Sequence, residues 1–208
     1  VGNGVSVIFE NFAISGGQGI YINNAGNEFV GRSLNVSGSS SNGILAISAK
    51  VSLYGCVLSN IRNPNGVGYG LSIQKCAGFI MNNCTVRDSD MGLYLDASWG
   101  ARIEKSTFSN CRESEGILVH RGSSATLLQS TITGCESGVA ITENSTAIVD
   151  QCALHRNYMD RALGKKGQGI YVMAGSNLIV KNTLIDSNDN EGIYAKDSMV
   201  SVQNSQIL

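Results

Sequence analysis

Gly92-Leu93-Tyr94-Leu95 returns 24 residues later as Gly116-Ile117-Leu118-Val119, and 22 residues after that as Gly138-Val139-Ala140-Ile141. The same glycine-apolar-any-apolar pattern stands at Gly19-Ile20-Tyr21-Ile22, Gly70-Leu71-Ser72-Ile73, Gly169-Ile170-Tyr171-Val172 and Gly192-Ile193-Tyr194-Ala195, with Gly43-Ile44-Leu45-Ala46 as a looser member. The period is ~23 residues with two longer intervals, which marks a repeat architecture. Alternation bounded by Gly, Ser and Asn is a strand signal and not a helical one.

A second element keeps its place in each period, read as apolar-any-polar-small-any-apolar: Phe9 to Ile14, Leu53 to Leu58, Met81 to Val86, Ile103 to Phe108, Leu127 to Ile132, Val149 to Leu154 and Val180 to Ile185. It too alternates and reads as strand. Two or three short strands per period, with corners too short for a crossover helix, must stack as parallel rungs about 4.8 Å apart. Leucine-rich repeats share the period but need a Leu-x-x-Leu-x-Leu signature that is missing, and propeller blades need about 40 residues. The expected fold is therefore all-β, a right-handed parallel β-helix (solenoid) of about nine coils of ~23 residues, forming one domain over 1–208.

Composition narrows the partners. The chain is 42% hydrophobic and 15% charged, enough for one core and without the charge excess of a disordered tail. Its 15 basic and 16 acidic residues are scattered, so no basic stripe faces a nucleic acid backbone. No apolar run approaches the ~18 residues that cross a bilayer as a helix, so membrane insertion is not expected. The chain opens at Val1 and stops at Leu208 inside an alternating run, and a fragment of a longer protein is expected.

Aligned periods put Cys56, Cys84 and Cys152 in one column, shared with Phe12, Leu34, Ser106, Ser130 and Thr183, and put Cys111 and Cys135 in another. Rungs about 4.8 Å apart hold stacked Cβ atoms farther apart than the ~3.8 Å of a disulfide, so mostly free, buried thiols are expected. No Cys/His set has zinc spacing, and neither a metal nor another cofactor is expected. The sequons at Asn35, Asn83 and Asn144 are explained by the abundance of Asn and Ser in the corners.

In each glycine rung the apolar pair points inward, so the intervening residue and the one after point outward. One outward column runs Tyr21, Leu45, Ser72, Tyr94, Leu118, Ala140, Tyr171, Tyr194; the next contains Asn23, Gln74, Asp96, His120, Thr142, Met173 and Lys196. The corner residues that follow include Lys75, Arg121, Glu143 and Asp197. Asp96 and His120 are thus expected as rung neighbours, with Lys75, Arg121 and Glu143 around them. A carboxylate beside an imidazole suits general acid–base chemistry, which makes Asp96, His120 and Glu143 the candidate catalytic residues. Lys75, Tyr94, Arg121 and Tyr171 are candidate substrate contacts, the arginine through its planar fork and the tyrosines through their ring faces. The competing explanations are solvated cross-rung ion pairs and ordinary aromatic stacking.

Two insertions, Ser59 to Tyr69 and His155 to Gln168, precede the same rung type and are expected to leave from one corner, bracketing the coils that carry Asp96, His120 and Glu143. Loops beside a rigid sheet are frequent binding elements. The stretch from His155 to Lys166 is the most basic in the chain, either a recruiting element for an acidic glycan or a solvated loop. Gly66-Val67-Gly68-Tyr69-Gly70 lacks the following Lys-Ser/Thr pair and helix of a phosphate loop.

The Gly-Ile-x-Ile rung followed by an Asn/Ser/Cys-rich rung resembles the parallel β-helix repeats of the pectate-lyase-like superfamily, which includes carbohydrate-binding and sugar-hydrolase domains. That resemblance spans nearly the whole chain and implies polysaccharide lyase, hydrolase or epimerase activity. The local signatures of polygalacturonases, alginate epimerases (Asp-Pro-His) and pectate lyases (Arg-x-Pro-x-x-Arg) are absent. Two readings stand: a domain that binds or processes an acidic polysaccharide at Asp96/His120/Arg121, and a non-catalytic scaffold (stalk, spike, adhesin or cytosolic interaction domain) whose partner is another protein.

Overall fold

The computed structural model describes residues 4–111, 113–158 and 167–208. Among these the regular elements are strands in three parallel sheets, two of nine strands and one of eight. The first sheet begins with Ser6–Glu10, Glu28–Arg32 and Lys50–Tyr54, and the second with Ala13–Ser15, Asn35–Ser37 and Val57–Ser59. The third carries the glycine rungs: Ile20–Asn23, Asn42–Ile47, Tyr69–Gln74, Met91–Asp96, Ile117–His120, Val139–Ile141, Ile170–Met173 and Ile193–Lys196. Each strand pairs with its equivalent one coil away, as Val7 with Phe29 and Phe29 with Val51, a basic offset of 22 residues. The chain is a β-solenoid.

Inside, equivalent side chains form rows. Leu53, Met81, Ile103, Leu127, Val149 and Val180 make one; Leu58, Val86, Phe108, Ile132, Leu154 and Ile185 another; all are fully buried. Burying each such aliphatic side chain stabilises the fold by about 1.5–3 kcal/mol before chain entropy is counted. Adding a coil therefore extends the same core.

The second sequence element is two strands and not one. In every instance a residue with positive φ breaks it: Asn11, Gly55, Asn83, Lys105, Gln129, Gln151 and Asn182. The chain turns there, yet the corner amide still bonds the next coil, as from Lys105 N to Leu128 O at 3.0 Å. The alternation slips by one at the corner, since Leu53, Cys56 and Leu58 face inward while Tyr54 and Gly55 both face out, so a single continuous strand does not fit the pattern.

The next amide in the corner faces the interior and has no sheet partner. A small polar side chain from the following coil supplies the acceptor, as buried N–H groups require. Cys56 N donates to Cys84 Sγ, Cys84 N to Ser106 Oγ, Ser106 N to Ser130 Oγ, Ser130 N to Cys152 Sγ and Cys152 N to Thr183 Oγ1, at 3.1–3.5 Å. The corner leading from the third sheet to the first carries a matching ladder through Cys76, Ser98, Ser123, Ser145 and Ser176. All six cysteines are free and buried. Burial pushes the Cys152 thiol up to about 11 and raises Cys76 as well, which keeps both neutral and unreactive.

Candidate functional site

Asp96 ends the strand Met91–Asp96, His120 ends Ile117–His120, and the two are register partners on the outer face of the third sheet. The corner begins with the next residue. Lys75, Ala97, Arg121 and Glu143 all have positive φ, between 47° and 55°. This conformation turns the chain while its amides stay paired: Lys75 N bonds Asp96 O, Ala97 N bonds His120 O and Gly122 N bonds Glu143 O. It recurs at corners throughout the solenoid, so here it belongs to the fold and is no mark of catalysis.

Four charged or ionisable groups meet at this edge. Arg121 Nη1 donates to Asp96 Oδ2 at 3.4 Å, and Arg121 Nε lies 3.9 Å from Glu143 Oε2. His120 Nε2 lies 3.7 Å from the same Glu143 oxygen, and His120 Nδ1 shares a 2.8 Å hydrogen bond with Thr142 Oγ1. Asp96 does not hold the imidazole, as the alignment implied; Thr142 and Glu143 do. When the Thr142 hydroxyl donates to Nδ1, the ring proton sits on Nε2, the arrangement that Glu143's charge favours. In that neutral form the Nε2 hydrogen points to Glu143.

Asp96 points outward yet is only 8% exposed, and its Oδ1 is buried with no hydrogen-bond partner among the described residues. Its other oxygen takes the long contact from Arg121. A buried acceptor left unmade costs about 1–3 kcal/mol, more for a charged group. By contrast, the arginine and Glu143 are more than half exposed, and pairs of that kind contribute about 0–1 kcal/mol.

An aromatic diagonal crosses the sheet toward this edge. The Tyr69 and Tyr94 rings lie 5.4 Å apart, and Tyr94 lies 6.1 Å from the His120 ring. Burial raises the Tyr94 hydroxyl above its ordinary range, helped by Asp96, and burial with Glu115 does the same for Tyr69. Both stay protonated donors. Tyr69 was missed in the sequence because it precedes the glycine of its rung and falls outside the outward columns.

Two expectations change. Lys75 forms no ion pair among the described residues; it lines a hollow round the corner instead. Tyr171 belongs to a separate platform, stacked on Tyr194 with centroids 5.3 Å apart and an interplanar angle of 11°. It sits three rungs from Tyr94, or about 14 Å. Ser72 and Ala140 lie in the outward column but are buried.

Both insertions leave from the corner before the third sheet, as expected, though that is the edge opposite Asp96 and His120. Asp90, a residue the sequence did not single out, closes the first of them. Its Oδ2 accepts from Asn63 N and Gly68 N, each at 2.8 Å, and its Oδ1 lies 3.8 Å from Arg62. Of the second insertion, residues 159–166, with most of its basic side chains, lie outside the described residues. Among the described residues, no group of three or more His, Cys, Asp and Glu side chains is placed to hold a metal ion.

Stacked 22-residue coils, three parallel sheets and an outward ionisable edge define the class. The family described as "right handed beta helix region" matches residues 1–154 and 91–208, and the chain belongs to it. Among solved structures it is similar to the periplasmic alginate epimerase AlgG, crystallised as a point mutant, with a TM-score of 0.78 and 13% identity. The match covers 97% of this chain and 49% of that one, so the chain spans about half the length of the epimerase. At that identity the likeness shows the fold alone. No curated protein matches the chain.

Proposed function

We propose that the chain is a glycan-interacting β-helix whose third sheet binds, and at Asp96, His120 and Glu143 processes, an acidic polysaccharide. The observation that carries this reading is the Asp96 carboxylate: buried, outward-facing, and with one oxygen lacking a donor among the described residues. A sugar hydroxyl supplies such a donor. Arg121, more than half exposed beside it, offers its remaining N–H groups to a uronate carboxylate. In this reading Tyr94 provides a ring face, and His120 gives a proton to a glycosidic oxygen when it is an imidazolium or takes one from a carbon next to a carboxylate when it is neutral. Lys75 and Tyr171 extend the contacts to either side. The likeness to an alginate epimerase agrees with a polyuronate ligand.

The test is calorimetric titration with uronate oligosaccharides. Binding should be seen with the parent chain and abolished by Asp96→Ala and His120→Ala. Because Asp96 is a buried charge with incomplete partners, Asp96→Ala should leave thermal stability unchanged or raise it. No response across a broad glycan panel contradicts the proposal and leaves the scaffold reading; loss of binding only through unfolding also contradicts it.

A further inference from the structure

Trp99 is the chain's single tryptophan and is 56% exposed, so the core does not account for it. Its backbone is nonetheless fixed: it bridges to Ala77, its N–H bonds Cys76 O and its carbonyl accepts from Gly78 N. The indole therefore stands on a rigid corner. With Ala49, Lys50, Lys75 and Ala77 it borders a surface hollow of about 330 Å³, the small end of the range for ligand sites.

Charge and position point to one kind of occupant. Lys50 is already paired with Glu28 at 2.9 Å, whereas Lys75 has no acidic partner among the described residues. The hollow thus presents an uncompensated ammonium beside an exposed indole face, over a floor of small side chains. Trp99 follows Asp96 by three residues, a reach of about 10 Å at most, and Lys75 N bonds Asp96 O. The hollow begins where the Asp96 edge ends.

We propose that this hollow is a second saccharide subsite, which takes a carboxylated sugar unit of a polymer that continues from the third sheet over the corner. The indole packs on the apolar face of the sugar ring, and Lys75 pairs with the carboxylate. This rests on the glycan reading above and adds to it a direction for the polymer and a charge requirement away from Asp96.

Tryptophan emission comes from Trp99 alone, so it reads this subsite directly. A uronate tetrasaccharide should change that emission saturably and a neutral glucan tetrasaccharide should not. Lys75→Asn, which suits the positive φ of this corner, should weaken uronate binding about tenfold or more, and Trp99→Ala should weaken it similarly by calorimetry. Calorimetric binding that leaves the emission unchanged, or that ignores both substitutions, overturns the subsite and leaves the Asp96 reading standing. Equal response to the neutral sugar overturns the charge requirement and with it the assignment. Neither heat nor an emission change overturns both readings.

Discussion

The Ser98 hydroxyl sits at the corner between the third sheet and the first. It accepts from Cys76 N at 3.0 Å and lies 3.0 Å from both Ile73 O and Asp96 O, which share its single hydrogen. Ser98→Ala should strand the Cys76 amide and lower stability by about 1–3 kcal/mol, whereas Ser98→Cys should cost less, since sulfur serves as acceptor in the same ladder at Cys76. Urea unfolding of the two variants checks this; equal destabilisation would mean the serine only fills space. Which residues share a column was legible in the sequence, because parallel rungs stack equivalent positions. The bonds they make were not. Cys84 and Cys152 read as small inward residues, but their role as acceptors depends on an amide that the corner turns inward. Similarly, the pairing of Asp96 with His120 was readable as register, while the choice of Arg121 over His120 as its partner is a matter of side-chain conformation.

Among the elements, the glycine of each third-sheet rung has a steric cause that its recurrence only hinted at. A Cβ on Gly116 would lie 2.8 Å from Gly138 O and 2.6 Å from Ile132 Cγ2; one on Gly92 would lie 2.2 Å from Gly116 O. Each coil's glycine makes room for the next coil's glycine carbonyl. Gly116→Ala should therefore force the rungs apart and lower stability by about 1–3 kcal/mol, visible as a fall in Tm of several degrees. An unchanged Tm would show that the coils can separate freely. The strands were readable because alternation is local, but their junctions are marked only by a one-residue slip of phase: Leu53, Cys56 and Leu58 face inward while Tyr54 and Gly55 both face out. Asp90 and Tyr69 escaped for a related reason, since one caps a loop through its side chain and the other leans diagonally across the sheet.

For the molecule as a whole, the even balance of charge leaves recognition to local geometry. The third sheet gathers its ionisable groups along one edge, and the adjoining corner holds the exposed indole and Lys75. Under the proposed reading, a row of rungs suits a linear polymer because equivalent outward positions repeat with the coils. The first insertion, tied down through Asp90, borders the same sheet from the other edge and carries the chain into Tyr69, from which the aromatic diagonal runs to His120. The most direct test is a map of backbone amide shifts on adding a uronate oligosaccharide. Shifts should cluster at Met91–Ala97, Ile117–Gly122 and Thr142–Asn144; shifts confined to the first or second sheet, or none at a saturating concentration, would contradict the account.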